Sequence, residues 1–237
     1  MIRVLLCDLD DTLFDHSGAT RDALAEVRRQ TPAFGVWTLD EFDRRHRVVL
    51  ETLHLQVLAG RYTVEEARVE RFRQLLGAAG VEESRADVLD GVSWSYRHAY
   101  EAAWRMVPGA LSFVGLAKSA SWRIVIVTNN VAREQRLKVE RGGLTPFIDA
   151  LVTSEEFGAS KPDPAILWHG VQRGGGEVDG AVVFGDSLST DIAGARAAGL
   201  RSVWFNRLGL ASPDPSLREV DSLEPAEHVL RVLAGEG

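Results

Sequence analysis

The run Asp8-Leu9-Asp10-Asp11-Thr12 follows the apolar stretch from Ile2 to Cys7 and places two carboxylates, Asp8 and Asp10, two residues apart. In extended backbone, side chains two apart face the same side, so both acids leave the strand together. Like charges this close repel. A divalent cation there would relieve the repulsion and leave one carboxylate free to attack an electrophile. A solvated acidic turn has the same composition, and this segment alone does not separate the two readings.

Three later segments carry groups of matching chemistry. Val127-Thr128-Asn129-Asn130 offers a hydroxyl and main-chain N–H groups that could hold phosphate oxygens, although Thr and Asn also serve as ordinary caps. Ser160-Lys161-Pro162-Asp163-Pro164 sets a lysine just ahead of a helix that can begin at the prolines, where the plain alternative is surface charge. Phe184-Gly185-Asp186-Ser187, followed by Asp191, lets Gly185 make a tight turn. Two acids at a helix start also suit the helix dipole without any further role.

These segments need elements to position them. Apolar, β-branched runs predict strands over Ile2 to Cys7, Arg123 to Val127, Ala150 to Thr153, Ala181 to Phe184 and Ser202 to Phe205. Helical stretches fall between the later ones, at Ala132 to Arg141, Pro164 to Arg173 and Ser189 to Ala198, with Gly142 and Gly199 placed for left-handed caps. Alternation of this kind predicts an α/β fold with a doubly wound parallel sheet, whose function gathers at the carboxyl ends of the strands. Each candidate segment closes a predicted strand or opens the following helix.

The stretch from Ser17 to Arg105 breaks the rhythm. It has no convincing strand but carries amphipathic helical patterns, one with Leu39, Phe42, His46, Val49, Leu53 and Val57 on a single face. Thr38 with Glu41 and Thr63 with Glu66 read as capping boxes, and Pro108-Gly109 marks the return to alternation. The expected division is a core of residues 1–16 and 106–237 with an all-helical insert over 17–105.

Bulk composition narrows the partners. A net charge of −7 and a pI near 5.4 argue against a nucleic-acid or anionic-membrane binder that works by broad phosphate neutralisation. The single cysteine, Cys7, forms no intrachain disulfide and reads as a small buried hydrophobe. With no signal peptide or membrane span in the sequence, a cytoplasmic protein is expected, as a monomer or homodimer.

Taken in order, Asp8-Leu9-Asp10-Asp11-Thr12, Thr128, Lys161 and Gly185-Asp186-Ser187-Leu188-Ser189-Thr190-Asp191 resemble the four motifs of the haloacid dehalogenase (HAD) superfamily. The likeness covers nearly the whole chain and implies a Rossmann-like core with a helical cap inserted after the first motif. Asn130 stands where many relatives carry glycine, and asparagine tolerates left-handed backbone angles.

The resemblance implies a Mg²⁺-dependent phosphatase acting on a small phosphorylated metabolite, of the nucleotide, sugar phosphate or phosphoglycolate type. Asp8 would be the nucleophile and Asp10 the acid and base. Asp8, the Asp10 carbonyl and Asp186 would hold the metal. Thr128, Asn129 and Lys161 would bind phosphate, Thr12 would orient the first loop, and Asp191 would support the metal waters or Lys161. A phosphomutase shares all four motifs. A 2-haloacid dehalogenase needs no second acid, because a halide leaves without a proton, and Asp10 therefore weighs against it. A non-catalytic binding module would be favoured by the loss of an acid or of Lys161, and all are present.

Overall fold

The computed structural model describes residues 2–58, 60–81 and 85–236. Backbone contacts divide the chain into two compact units, one formed up to Asp15 and again from Arg105 onward, the other by His16–Trp104.

The first unit is built on a parallel sheet. Its strands are β1 (Val4–Cys7), β2 (Arg123–Thr128), β3 (Ala150–Thr153), β4 (Ala181–Gly185), β5 (Arg201–Phe205) and β6 (Glu219–Val220), in the spatial order β3-β2-β1-β4-β5-β6. The order reverses between β1 and β4, so the crevice at their carboxyl ends is the switch point where such sheets bind ligands. Register makes this concrete: Cys7 is level with Ile126 of β2 and with Phe184 of β4. The residues that follow each strand therefore emerge side by side. β6 was not expected, because a two-residue edge strand leaves no run to detect.

β1 is buried along its whole length, which is why it reads as an unbroken apolar run rather than an alternating one. Leu6, Val125, Val127 and Val183 pack with Ile166, Leu167 and Val171 from the helix Pro164–Arg173, and with Ala195 and Ala198. Each of the Leu, Val and Ile side chains taken out of water contributes about 1.5–3 kcal/mol. On that helix, Gly170 lets the backbone approach the sheet, since a Cβ there would sit 3.0 Å from Leu6 and Val127. Phe113, Phe184 and Phe205 are also buried, with rings of neighbouring pairs 5.6 Å apart.

Two local expectations are corrected. Gly142 has a right-handed φ of −75°, and the left-handed residue is Gly143 at +71°. Gly142 answers a steric need instead, because a Cβ there would meet Met106 Sδ at 2.5 Å and the Lys138 carbonyl at 2.7 Å. The helix expected over Ser189 to Ala198 is a π-helical turn, Leu188–Ile192, running into a short α-helix, Ala193–Ala198, that ends at left-handed Gly199.

The second unit is helical: α1 (His16–Gln30), α2 (Leu39–Leu58), α3 (Val64–Ala78) and α4 (Ala86–Ala102). Thr63 and Glu66 form a complete capping box at α3. At α2, Thr38 accepts from the Glu41 N–H, while the Glu41 carboxylate pairs with Arg45. The interior is aromatic: His46 lies 5.2 Å from Tyr96, and Phe72 lies 5.3 Å from Tyr96. Tyr96 is thus interior packing, Arg97 pairs with Glu101, and Trp94 is 69% exposed beside His98. Among the described residues no helix is long and apolar enough to cross a membrane.

Candidate active site

Asp8 is the first residue beyond β1, and its N–H still donates to the Phe184 carbonyl at 2.9 Å. That bond holds it between the ends of β2 and β4. Thr128 ends β2, and Gly185 ends β4. Lys161 comes from the loop before the helix Pro164–Arg173, whose N-cap Asp163 accepts from Ala165 N–H. Asn129 fixes that loop with a reciprocal pair, its amide nitrogen donating to the Lys161 carbonyl and its oxygen accepting from the Lys161 N–H, both at 2.7 Å. The Asn129 side chain is therefore a strut for the lysine.

Lys161 is buried, and its ammonium donates to Asp8 Oδ1 at 2.6 Å, to Asp191 Oδ1 at 2.6 Å and to the Val127 carbonyl at 2.7 Å. All three of its protons are committed. Asp191 accepts in addition from the Ser187 N–H at 3.1 Å. The main chain of Asp186 is held on both sides, its N–H by Thr12 Oγ1 at 3.2 Å and its carbonyl by Trp204 Nε1 at 2.7 Å. Gly185 is required here, because a Cβ would fall 2.3 Å from Asp191 Oδ2.

Asp8, Asp186 and Asp191 each bring a carboxylate oxygen within 4.8 Å of the others. Burial, with the Asp191 and Asp10 charges adding to it, pushes the Asp8 carboxyl up to about 7 despite Lys161. Burial and the Asp8 and Asp191 charges push Asp186 up to about 8. Burial alone would lower the Lys161 ammonium, but Asp191 and Asp8 hold it above its ordinary value. Were all three carboxylates to ionise against the one ammonium, a formal excess of two negative charges would result, and every donor is a hard oxygen. This set fits a divalent cation of the Mg²⁺, Ca²⁺ or Mn²⁺ kind.

The Asp10 carboxylate is not in that cluster. Its oxygens receive Lys138 Nζ at 2.7 Å, Gln135 Nε2 at 2.7 Å and Asn130 Nδ2 at 3.3 Å. Asn130 does not use left-handed angles, since Asp11 and Ser121 are the non-glycine residues with positive φ among those described. The loop after Asp10 is tied by Arg207, which reaches Asp11 at 2.6 Å and Asp15 at 2.9 Å, while Arg105 pairs with Asp15 at 2.8 Å. Partly buried Asp15 is held below the usual carboxylate range by these arginines. Gln135, Lys138 and Arg207 carry no motif in the sequence that marks them as neighbours of these acids.

The profile of haloacid dehalogenase-like hydrolases matches residues 2–199. Among curated proteins, a phosphoserine phosphatase of Thermus thermophilus is 29% identical over 90% of this chain and 92% of its own length. The pyrimidine 5′-nucleotidase YjjG of Escherichia coli is 27% identical over 84% of each chain. Among solved structures, the HAD-hydrolase YfnB of Bacillus subtilis, bound to magnesium, superposes with a TM-score of 0.74 at 26% identity, over 97% of this chain and 98% of that one.

Proposed function

Because the chain belongs to the haloacid dehalogenase-like hydrolases, we propose that it is a Mg²⁺-dependent phosphatase that hydrolyses a small phosphorylated metabolite through a phosphorylated Asp8. It is a phosphoric monoester hydrolase, as the curated relatives are by name. The observation that carries the reading is the buried Asp8 carboxylate at the switch point of the sheet, paired with Lys161 and grouped with Asp186 and Asp191.

Asp8 and Asp186, with the main-chain carbonyl of Asp10, are assigned as the metal ligands. When bound, the ion offsets the charge between the carboxylate and the incoming phosphate. Asp8 attacks phosphorus in line, and the bond to the leaving oxygen breaks as Asp10 protonates that oxygen. Asp10, now ionised, takes a proton from the water that hydrolyses the aspartyl-phosphate, which restores both acids. The Thr128 hydroxyl and the Asn129 N–H bind the transferring oxygens, and Lys161 joins them by turning toward the phosphoryl group the proton it now gives to Asp8. Asp191 keeps Lys161 charged and in place. The helical insert, residues 17–105, is read as the cap that sets substrate choice.

Dehalogenation would leave Asp10 without work, whereas three side chains are committed to holding it. Phosphomutase chemistry uses the same groups and differs in where the phosphoryl group goes. A panel of nucleotides, sugar phosphates and phosphoglycolate, assayed for phosphate release with Mg²⁺, tests the reading. Turnover should vanish in Asp8→Asn and with EDTA and return with added Mg²⁺. Full activity in Asp8→Asn would refute the scheme.

A further inference from the structure

Asp10 is gripped by side chains that the phosphoryl chemistry does not itself demand. Lys138, on the helix Ala132–Arg141, is 0% exposed, lies 4.7 Å above the Phe14 ring, and pairs with both Asp10 at 2.7 Å and buried Glu134 at 3.2 Å. Gln135, one helical turn earlier on the same face, turns its amide nitrogen to Asp10 Oδ2 and to Thr128 Oγ1, leaving its own oxygen buried without a hydrogen bond. That orientation serves the carboxylate at the expense of the amide. Asn130 adds a further donor to the same oxygen.

A buried lysine with its acids is a poor way to stabilise a core, because apolar residues of similar volume commonly do as well or better. The charge is better explained by what it places. We propose that Lys138, with Gln135 and Asn130, is a positioning residue that holds the Asp10 carboxyl in one orientation, so that its proton meets the departing ester oxygen. Both oxygens are gripped, from different side chains, so the plane of the carboxyl is set as well as its place. Lys138 touches no reacting atom; it acts through Asp10. This rests on Asp10 being the acid and base of the proposed reaction. In the step concerned, a bond forms between Asp8 and phosphorus, the ester P–O bond breaks, and the Asp10 proton passes to the released oxygen.

The test uses the full chain with Mg²⁺ and compares kcat/KM for phenyl phosphate, whose phenolate needs a proton, with that for para-nitrophenyl phosphate, whose leaving group departs without one. Lys138→Met should lose about 10²-fold on phenyl phosphate, within the range of general acid catalysis, and far less on the nitrophenyl ester. Lys138→Arg should recover part of the loss. In an Asp10→Asn background, Lys138→Met should change the ratio of the two esters no further. A loss of equal size on both esters would show a structural role and overturn the proposal. Asn130→Gly, at a half-buried position, carries the same comparison if Lys138→Met does not fold, and an unchanged ratio there is equally fatal. A wild type inactive on both esters, or an active Asp8→Asn, overturns the phosphatase reading and this proposal with it; an active wild type with an unchanged ratio in the variants overturns this proposal alone.

Discussion

Lys161→Met replaces a buried ammonium by an apolar chain of similar length and strands Asp8 and Asp191, which it now bridges at 2.6 Å each. The oxygens of these acids lie within 4.8 Å, where two charges repel by about 3.5 kcal/mol at an effective dielectric near 20. Removing one partner from a buried ion pair typically costs about 3–5 kcal/mol, so the two figures agree in size. For a chain of this length that corresponds to a fall in Tm of roughly 6–20 °C for metal-free protein.

The sign of the pH dependence follows from which state holds the protons. With the lysine gone, the Asp8 carboxyl, already pushed up to about 7 mainly by burial, rises further. The folded variant then binds protons that the unfolded chain, with carboxyls near about 3.9, has released. Its stability therefore falls as pH rises through the folded pKa of Asp8 and is recovered on acidification. Thermal unfolding in EDTA at about pH 5.5 and about pH 9 should show the larger deficit against wild type at the higher pH. An equal deficit at both, or one below about 1 kcal/mol, would refute the view that Lys161 is held in place by charge.

Gly185→Ala should destabilise the chain by about 1–3 kcal/mol and lower kcat, because its new methyl group would meet Asp191 at 2.3 Å and disturb the partner of Lys161; melting and turnover measured on one preparation check both effects. His46 is held well below its ordinary pKa by burial and by Arg71, His16 and Arg47, so the unfolded chain takes up the proton first. Stability should be full above about pH 6.5 and decline as pH falls below it, and His46→Leu should flatten that decline in denaturant midpoints; an unchanged slope would show that His46 is not its source.

The gathering of Asp8, Thr128, Lys161, Asp186 and Asp191 was legible because each stands at a strand end or just before a helix, and a parallel sheet brings such positions together whatever the details of packing. Lys138 and Gln135 were not legible for a physical reason. Their helix reads Ala-Arg-Glu-Gln-Arg-Leu-Lys-Val-Glu-Arg, and its buried face sets Glu134, Gln135 and Lys138 among only Ala132 and Val139, so these three polar residues read as solvent-facing. Arg207 lies in the loop after β5, where a single arginine looks like any surface charge. The π-helical turn at Leu188–Ile192 escaped because its extra residue changes no residue type.

Lys138 also bears on Asp8 and Asp10 themselves. Their repulsion, inferred from spacing, pointed to a metal between them. The structure gives each aspartate its own buried ammonium, Lys161 for Asp8 and Lys138 for Asp10. Repulsion between this pair still raises the Asp8 carboxyl, but less than burial and Asp191 do, so it is not the main call for a cation. The uncompensated charge lies elsewhere, among Asp8, Asp186 and Asp191, where one lysine faces three acids and two of them have pKa values pushed up by burial to about 7 and about 8. In the proposed reaction this divides the work of the two aspartates. Asp8, in the acid cluster, is available to share a metal, while the Asp10 carboxylate, held by its own donors outside that cluster, is free of that duty and can be kept for protons.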